Sequence, residues 1–140
     1  MALTADQVVT RYTDEIWNKG NLELIRELCA DPITRHEAGK VVLVSQDEQI
    51  RRISAVRTAM QPFFENVIQA SDGTYVAAAY QCRTKPWPDD GAEIPDSPWI
   101  DDDFKDNPAA KSGCGIEIFK VVDGRITDVW NHPVMEGVWA

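Results

Sequence analysis

The spacing of apolar positions changes from a helical period to a strand period part-way along the chain. Before residue 61, apolar side chains recur every three or four positions in three separate runs. From residue 63 onward, apolar and polar positions alternate, with Asp72-Gly73 and Asp123-Gly124 as turn signals. This order predicts an α+β domain, in which three helices precede the main antiparallel sheet.

Two capping boxes and several prolines bound the predicted elements. Thr4 and Ser45 begin the first and third helices, and Pro62 must end the third. Strands are predicted at residues 33–38, 63–70 and 75–84, followed by a hairpin within residues 112–133. A chain of 140 residues builds one core, so a single domain over residues 1–140 is expected.

Composition narrows the class of protein. The formal net charge of −9 at pH 7 argues against a nucleic-acid partner, which needs a basic surface. No apolar run is long enough to cross a membrane, and the N-terminus lacks the pattern of a signal peptide. The three cysteines lack paired metal-ligand spacing and suit reduced thiols. We therefore expect a cytoplasmic protein that binds a small molecule and needs no metal or cofactor.

A long loop at residues 86–108 interrupts the predicted sheet. Its five prolines exclude a regular element, and it contains Trp87, Trp99 and Phe104. Long loops in compact domains often act as lids. We expect this loop to cover the mouth of a ligand pocket, in its own chain or in a neighbour, and to favour aromatic ligands.

The predicted hairpin carries ionisable residues on the same face as large aromatics. A two-residue turn fixes the register and places Glu117 opposite Trp130. One face would then hold Glu117, Phe119, Asp128, Trp130 and His132, and the other Ile116, Ile118, Val129 and Asn131. A one-residue bulge would move half of the first set to the other face. Two apolar faces require two covers, and the second cover is either a lid or a neighbouring subunit; we favour a subunit, in a homodimer or homotrimer.

Glu117 and His132 would be diagonal neighbours on this face, between apolar walls. Burial raises the pKa of a carboxyl and lowers that of an imidazole, so the pair suits acid and base catalysis. The alternative is structural, with a satisfied core acid and a histidine at a strand end. Arg83, near the end of a strand, could bind a substrate carboxylate or phenolate, or extend to the surface.

The layout of the chain resembles the NTF2-like superfamily, and most of all its SnoaL-like and ketosteroid-isomerase-like members. The resemblance rests on the order of elements, on DPITRHEAG after helix two and on GIEIFKVVDGRITDVWN near the end. It covers nearly the whole chain except residues 86–108, a loop longer than usual. The implied fold is a cone, in which a curved antiparallel sheet wraps around three N-terminal helices and encloses a pocket.

The resemblance implies roles for individual residues. Glu117, in GIEIF, matches an acid that stabilises an enolate in ketosteroid isomerases, and Tyr12 matches their other oxyanion donor. Glu37 looks like the counterpart of their proton-shuttling base, and His36 matches a histidine of SnoaL-like cyclases. His132 stands where limonene epoxide hydrolases hold a water-activating base. Their arginine and acid lack counterparts at the expected positions, which disfavours epoxide hydrolysis.

These features predict a cofactor-independent lyase, dehydratase or isomerase that uses acid/base chemistry on an aromatic or ring-bearing compound. The family includes a lyase of lignin-derived diaryl compounds, which an aromatic lid would suit. The base would be His132, His36 or Glu37, and strand alternation allows only one of the last two to face the pocket. The alternatives are a non-catalytic ligand-binding or association domain, and a SnoaL-like polyketide cyclase that uses Asp128.

Overall fold

Three helical regions and seven strands make up the described part of the chain. A computed structural model describes residues 2–37, 39–84, 112–132, 134–137 and 139. The 86–108 loop lies outside the described residues, together with Trp87 and Trp99, so its role as a lid stays a prediction.

The helices begin at the predicted caps. They are α1 (Ala5–Arg11), which continues as a π-helix (Tyr12–Asn18), then a 3₁₀ turn (Leu22–Leu24), α2 (Ile25–Leu28) and α3 (Gln46–Met60). Thr4 forms the capping box of α1, and Ser45 Oγ accepts a hydrogen bond from the backbone N–H of Glu48, in the first turn of α3, at 3.1 Å. These bonds satisfy backbone donors that a helix leaves unpaired, which is why both helices begin there.

The strands form one curved sheet. They are β1 (Cys29–Glu37), β2 (Lys40–Val44), β3 (Phe63–Ser71), β4 (Tyr75–Arg83), β5 (Ser112–Val122), β6 (Arg125–Asn131) and β7 (Met135–Glu136). Six follow the order β2-β1-β6-β5-β4-β3, and β7 pairs with β5. The neighbours are antiparallel except β1 and β6, which run parallel, unlike the fully antiparallel sheet that was expected.

One face of the sheet, here called the inner face, packs against the helices. Its core members are Ile33, Val44, Val76, Ala78, Phe119, Val121, Ile126 and Val129. They meet the buried helical residues Val8, Val9, Tyr12, Ile16, Ile25, Leu28 and Ile53. The opposite, outer face exposes Val41, Leu43, Ile68, Tyr75, Ile116, Ile118 and Val122. The α+β prediction of a curved sheet around three helices is therefore confirmed.

A β-bulge at Thr127 changes the predicted register of the last hairpin. Near the turn the pairing is as expected, but Thr127 is an extra residue of β6 without a Cα partner in β5. Every later pair is shifted by one position. Glu117 therefore lies opposite Asn131 and not opposite Trp130.

The bulge separates residues that were predicted to share one face. Glu117 and Phe119 lie on the inner face, whereas Asp128 and Trp130 lie on the outer face beside Ile118. The prediction of a common face was wrong, because one extra residue in β6 reverses the alternation of those that follow it.

Two buried glutamines of α3 differ in whether their side-chain amides are hydrogen-bonded. Gln49 is 1% exposed, and neither polar atom of its amide has a hydrogen-bond partner among the described residues. Gln46, which is also buried, donates from Nε2 to the carbonyl oxygen of Cys29 at 3.0 Å. Leaving a buried polar group unpaired costs about 1–3 kcal/mol, and an apolar replacement of similar size removes that cost.

We expect Gln49→Leu to raise the unfolding free energy by about 1 kcal/mol and Gln46→Leu to lower it by a similar amount. Denaturant titration of the two variants and the wild type measures both changes. A loss of stability in both variants would contradict this account of Gln49.

Candidate functional site

Three polar residues stand side by side on the inner face, and we call them the polar row. Asn131 of β6 pairs with Glu37 of β1 on one side and with Glu117 of β5 on the other. Since neighbouring strands are about 4.8 Å apart, the backbones of the two acids are about 10 Å apart. The row therefore presents two carboxyl groups that flank one amide.

Arg35 fixes one end of the polar row. It lies two residues before Glu37 on the same face and is 3% exposed. Its Nε donates to Glu37 Oε1 at 3.0 Å. A guanidinium buried this deeply is tolerated only with a charged partner, so the ion pair sets the direction of the Glu37 carboxylate. Sequence analysis missed Arg35, although its alternation with Ile33 and Glu37 was visible in the chain.

Glu117 forms the other end of the row, and burial changes its titration. Desolvation raises the pKa of Glu117, and the nearby charge of Arg35 only partly offsets this. The protonated carboxyl, which can donate a hydrogen bond, is therefore favoured to higher pH than in an ordinary glutamic acid. Phe119, which is 2% exposed, lies two residues further along the same face.

Two buried phenols lie near Glu117. Tyr12 packs edge-on against Phe119, with 5.8 Å between ring centroids, and burial is the main cause of its raised pKa. Tyr80 of β4, which sequence analysis missed, has a pKa raised first by burial and then by the charge of Glu117. Both hydroxyl groups are therefore neutral hydrogen-bond donors at neutral pH.

Gly115 makes room for Tyr80. The two residues pair across β4 and β5, and a Cβ at position 115 would lie 2.6 Å from Tyr80 Oη and 2.8 Å from its Cζ. The phenol ring thus lies across the backbone of β5, two residues from Glu117. A side chain at position 115 would displace the ring.

A separate polar cluster lies on the outer face. His36 Nε2 is 3.0 Å from Asp128 Oδ2, and the imidazole stacks on Trp130 with 4.5 Å between centroids. Burial alone would raise the pKa of Asp128, but hydrogen bonds from His36 and Thr127 outweigh it and lower that pKa. The predicted site residues His36, Asp128 and Trp130 thus lie on the opposite face of the sheet from Glu117. Of the neighbours His36 and Glu37, only Glu37 faces inward.

Two other predicted site residues also lie outside the polar row. His132 is exposed and follows the last paired residue of β6. Arg83 is exposed at the end of β4, where it pairs with the exposed Phe63. Among the predicted site residues within the described ranges, the structure gathers Tyr12, Glu37, Glu117 and Phe119 on the inner face.

Metal ligands are not clustered in the part of the chain that the structure describes. There, no group of three or more His, Cys, Asp or Glu side chains is placed to hold a metal ion. Cys29, Cys82 and Cys114 are all unpaired and buried. None of the described helices has the length and apolar composition needed to cross a membrane.

Comparison with solved structures identifies the fold. A SnoaL-like polyketide cyclase from Agrobacterium tumefaciens superposes with a TM-score of 0.70 at 17% identity, over 92% of this chain and 90% of that one. A candidate polyketide cyclase from Xanthomonas campestris gives 0.65 at 20% identity, over 90% and 87%. The chain has the SnoaL-like, NTF2-like fold. This confirms the expected cone architecture.

The same SnoaL-like fold occurs with another activity. An LEH-like epoxide hydrolase from M. tuberculosis gives a TM-score of 0.64 at 12% identity, over 91% of this chain and 76% of that one. No family model and no curated protein matches the chain. Likeness at such low identity establishes the fold alone, so the inner-face residues must decide the function.

The raised pKa of Glu117 predicts how stability depends on pH. The folded protein holds this proton to higher pH than the unfolded chain does. The unfolding free energy therefore falls as the pH rises above about 4.3, the ordinary pKa of Glu, until Glu117 ionises in the folded state. Glu117→Gln removes this loss, so the variant should gain stability relative to the wild type over that range.

Denaturant unfolding from pH 4 to pH 8 measures the difference between the two proteins. Glu65→Gln, at an exposed position of β3, controls for the removal of a carboxyl group. A difference between Glu117→Gln and the wild type that does not change with pH would rule out a raised pKa.

Proposed function

We propose that the chain is a cofactor-independent enzyme that applies acid/base chemistry to an apolar, ring-bearing small molecule, as a lyase, dehydratase or isomerase. The observation that carries the proposal is the polar row, where an acid with a raised pKa, Glu117, faces an ion-paired carboxylate, Glu37. Two carboxyl groups in such different surroundings are typical of sites where one group donates a proton and the other accepts one.

Glu37 is the proposed base. Arg35 directs its carboxylate, which could take a proton from a carbon next to a substrate carbonyl. The sequence left His132, His36 and Glu37 as alternatives. Glu37 is preferred because it lies on the inner face, whereas His36 contacts Asp128 on the outer face and His132 is exposed.

Glu117, Tyr12 and Tyr80 are the proposed donors to the substrate oxygen on which negative charge develops. The raised pKa of each group favours the protonated form that donates a hydrogen bond. Preorganised donors of this kind contribute on the order of a few kcal/mol each to the transition state. Phe119 supplies an apolar wall for a ring. Lignin-derived diaryl compounds remain one proposed substrate class.

The other candidate functions have less support. A polyketide cyclase would match the structural neighbours, but Asp128, its expected acid, hydrogen-bonds to His36 on the outer face. A non-catalytic association domain gives no reason to place Arg35, Glu37 and Glu117 on the face that packs against the helices.

The outer face supports the expected homo-oligomer, a homodimer or homotrimer. Its exposed apolar members are Val41, Leu43, Ile68, Tyr75, Ile116, Ile118 and Val122. They extend across the sheet from β2 to β3, and an exposed apolar surface of this breadth is typical of a face that another chain covers. A second copy of the chain is the proposed partner.

The oligomer is tested with a charge at the centre of the outer face. Ile118→Glu would bury an unpaired carboxylate in the proposed interface, so we expect a monomer where the wild type is a dimer or trimer. Sedimentation velocity measures the change, with Ser54→Glu on the exposed side of α3 as the control. A monomeric wild type, or an unchanged assembly of Ile118→Glu, would remove this surface from the proposal.

The catalytic roles are tested after a substrate is found. A thermal-shift screen with phenols, steroids, diaryl compounds and polyketide-like acids selects ligands for turnover assays. Glu117→Gln and Glu37→Gln should each lower kcat about a hundredfold or more. Circular dichroism checks the fold of each variant, because Glu37→Gln also breaks the ion pair with the buried Arg35. Glu65→Gln should retain the wild-type rate. Near-normal rates in both inner-face variants would reject the acid/base proposal.

A further inference from the structure

Asn131, at the centre of the polar row, has an amide oxygen without a hydrogen-bond donor. Its Oδ1 is buried and has no hydrogen-bond partner among the described residues. A buried acceptor left unpaired costs about 1–3 kcal/mol. In native proteins such a group can mark strain, a bound water or ion, or a catalytic role. Unlike Gln49 of the helical core, Asn131 stands between two acids, which points to a functional role.

The residues beside Asn131 explain why the protein leaves this oxygen unpaired. Of its two neighbours in register, Glu37 is ionised in the pair with Arg35 and has no hydrogen to donate, and Glu117 is the proposed donor to the substrate oxygen. Arg35, a cation on this face, donates from Nε to Glu37 Oε1 at 3.0 Å. Phe119, the next inner-face residue of β5 after Glu117, has no hydrogen-bond donor on its side chain. A bound molecule could supply the missing donor.

We propose that Asn131 is a specificity-determining residue that accepts a hydrogen bond from a hydroxyl group of the substrate. This inference rests on the proposed function, because it places the ligand between the proposed base, Glu37, and the proposed donor, Glu117. It narrows the substrate class to ring-bearing compounds with an alcohol or phenol hydroxyl.

The charge of the row favours a neutral hydroxyl group. The carboxylate of Glu37 lies beside Asn131, so an ionised phenolate or carboxylate at this position would meet like charge. An un-ionised hydroxyl both avoids this repulsion and supplies the hydrogen that Oδ1 lacks. A ligand without the hydroxyl would leave Oδ1 unpaired inside an occupied site. Such a ligand should therefore bind more weakly than one whose hydroxyl pairs with Oδ1.

The test compares two diaryl compounds that differ by one hydroxyl group, 1,2-diphenylethanol and 1,2-diphenylethane. Isothermal titration with the wild type should show about tenfold or more tighter binding of the alcohol, as one buried hydrogen bond provides. Asn131→Leu, which removes the acceptor at similar size, should bring the two dissociation constants together. Asn131→Ala serves where the leucine variant does not fold, and the exposed Asn21→Leu should keep the preference.

Three results would overturn the inference: a wild type that binds both compounds equally, one that binds neither, or an Asn131→Leu variant that keeps the preference. The acid/base proposal fails separately. If Asn131 governs the preference while Glu37→Gln and Glu117→Gln turn over normally, the hydroxyl site stands and the catalytic roles do not.

Discussion

The extra residue in β6 determines which side chains of the last strand reach the inner face. If Thr127 paired regularly with Lys120, strict alternation would turn Asn131 outward and bring Trp130 opposite Glu117. With the bulge, Asn131 stands between the two acids of the polar row, and Trp130 instead stacks on His36 on the outer face. Bulges are common beside functional sites because they re-aim side chains in this way.

The inner face holds more polar groups than folding requires. The ion pair between Arg35 and Glu37 offsets part of the cost of burying charge there. Burial still disfavours ionisation of Glu117, and the Asn131 oxygen still has no donor among the described residues. Apolar side chains at these positions would be expected to stabilise the fold, so the polar side chains there are consistent with the proposed ligand site.

The period of the apolar positions was enough to predict the α+β class, and the family resemblance implied the cone. Local signals such as the Thr4 and Ser45 caps act within a few residues and can be recognised in the chain. The bulge could not be predicted in this way, because a single inserted residue depends on how β6 packs against β5. That one change removed Asp128 and Trp130 from the predicted site.

The other site residues differ in how readily they could be predicted from the sequence. Glu117 was found from the alternation of the predicted hairpin, and Glu37 and Tyr12 through resemblance; all three lie on or against the inner face. Tyr80 alternates with the buried Val76 and Ala78 of β4, so strand periodicity could have placed it inward. Its position close to Glu117, however, depends on how β4 pairs with β5.

The most direct test of the proposed chemistry is the titration of Glu117 itself. The side-chain carboxyl carbon can be followed by ¹³C NMR as the pH is raised, with its signal assigned by the loss of one resonance in Glu117→Gln. A titration midpoint clearly above about 4.3, the ordinary value for Glu, is the predicted result. A midpoint at or below that value would show an ordinary surface-like acid and would contradict the proposed role of Glu117 as a proton donor.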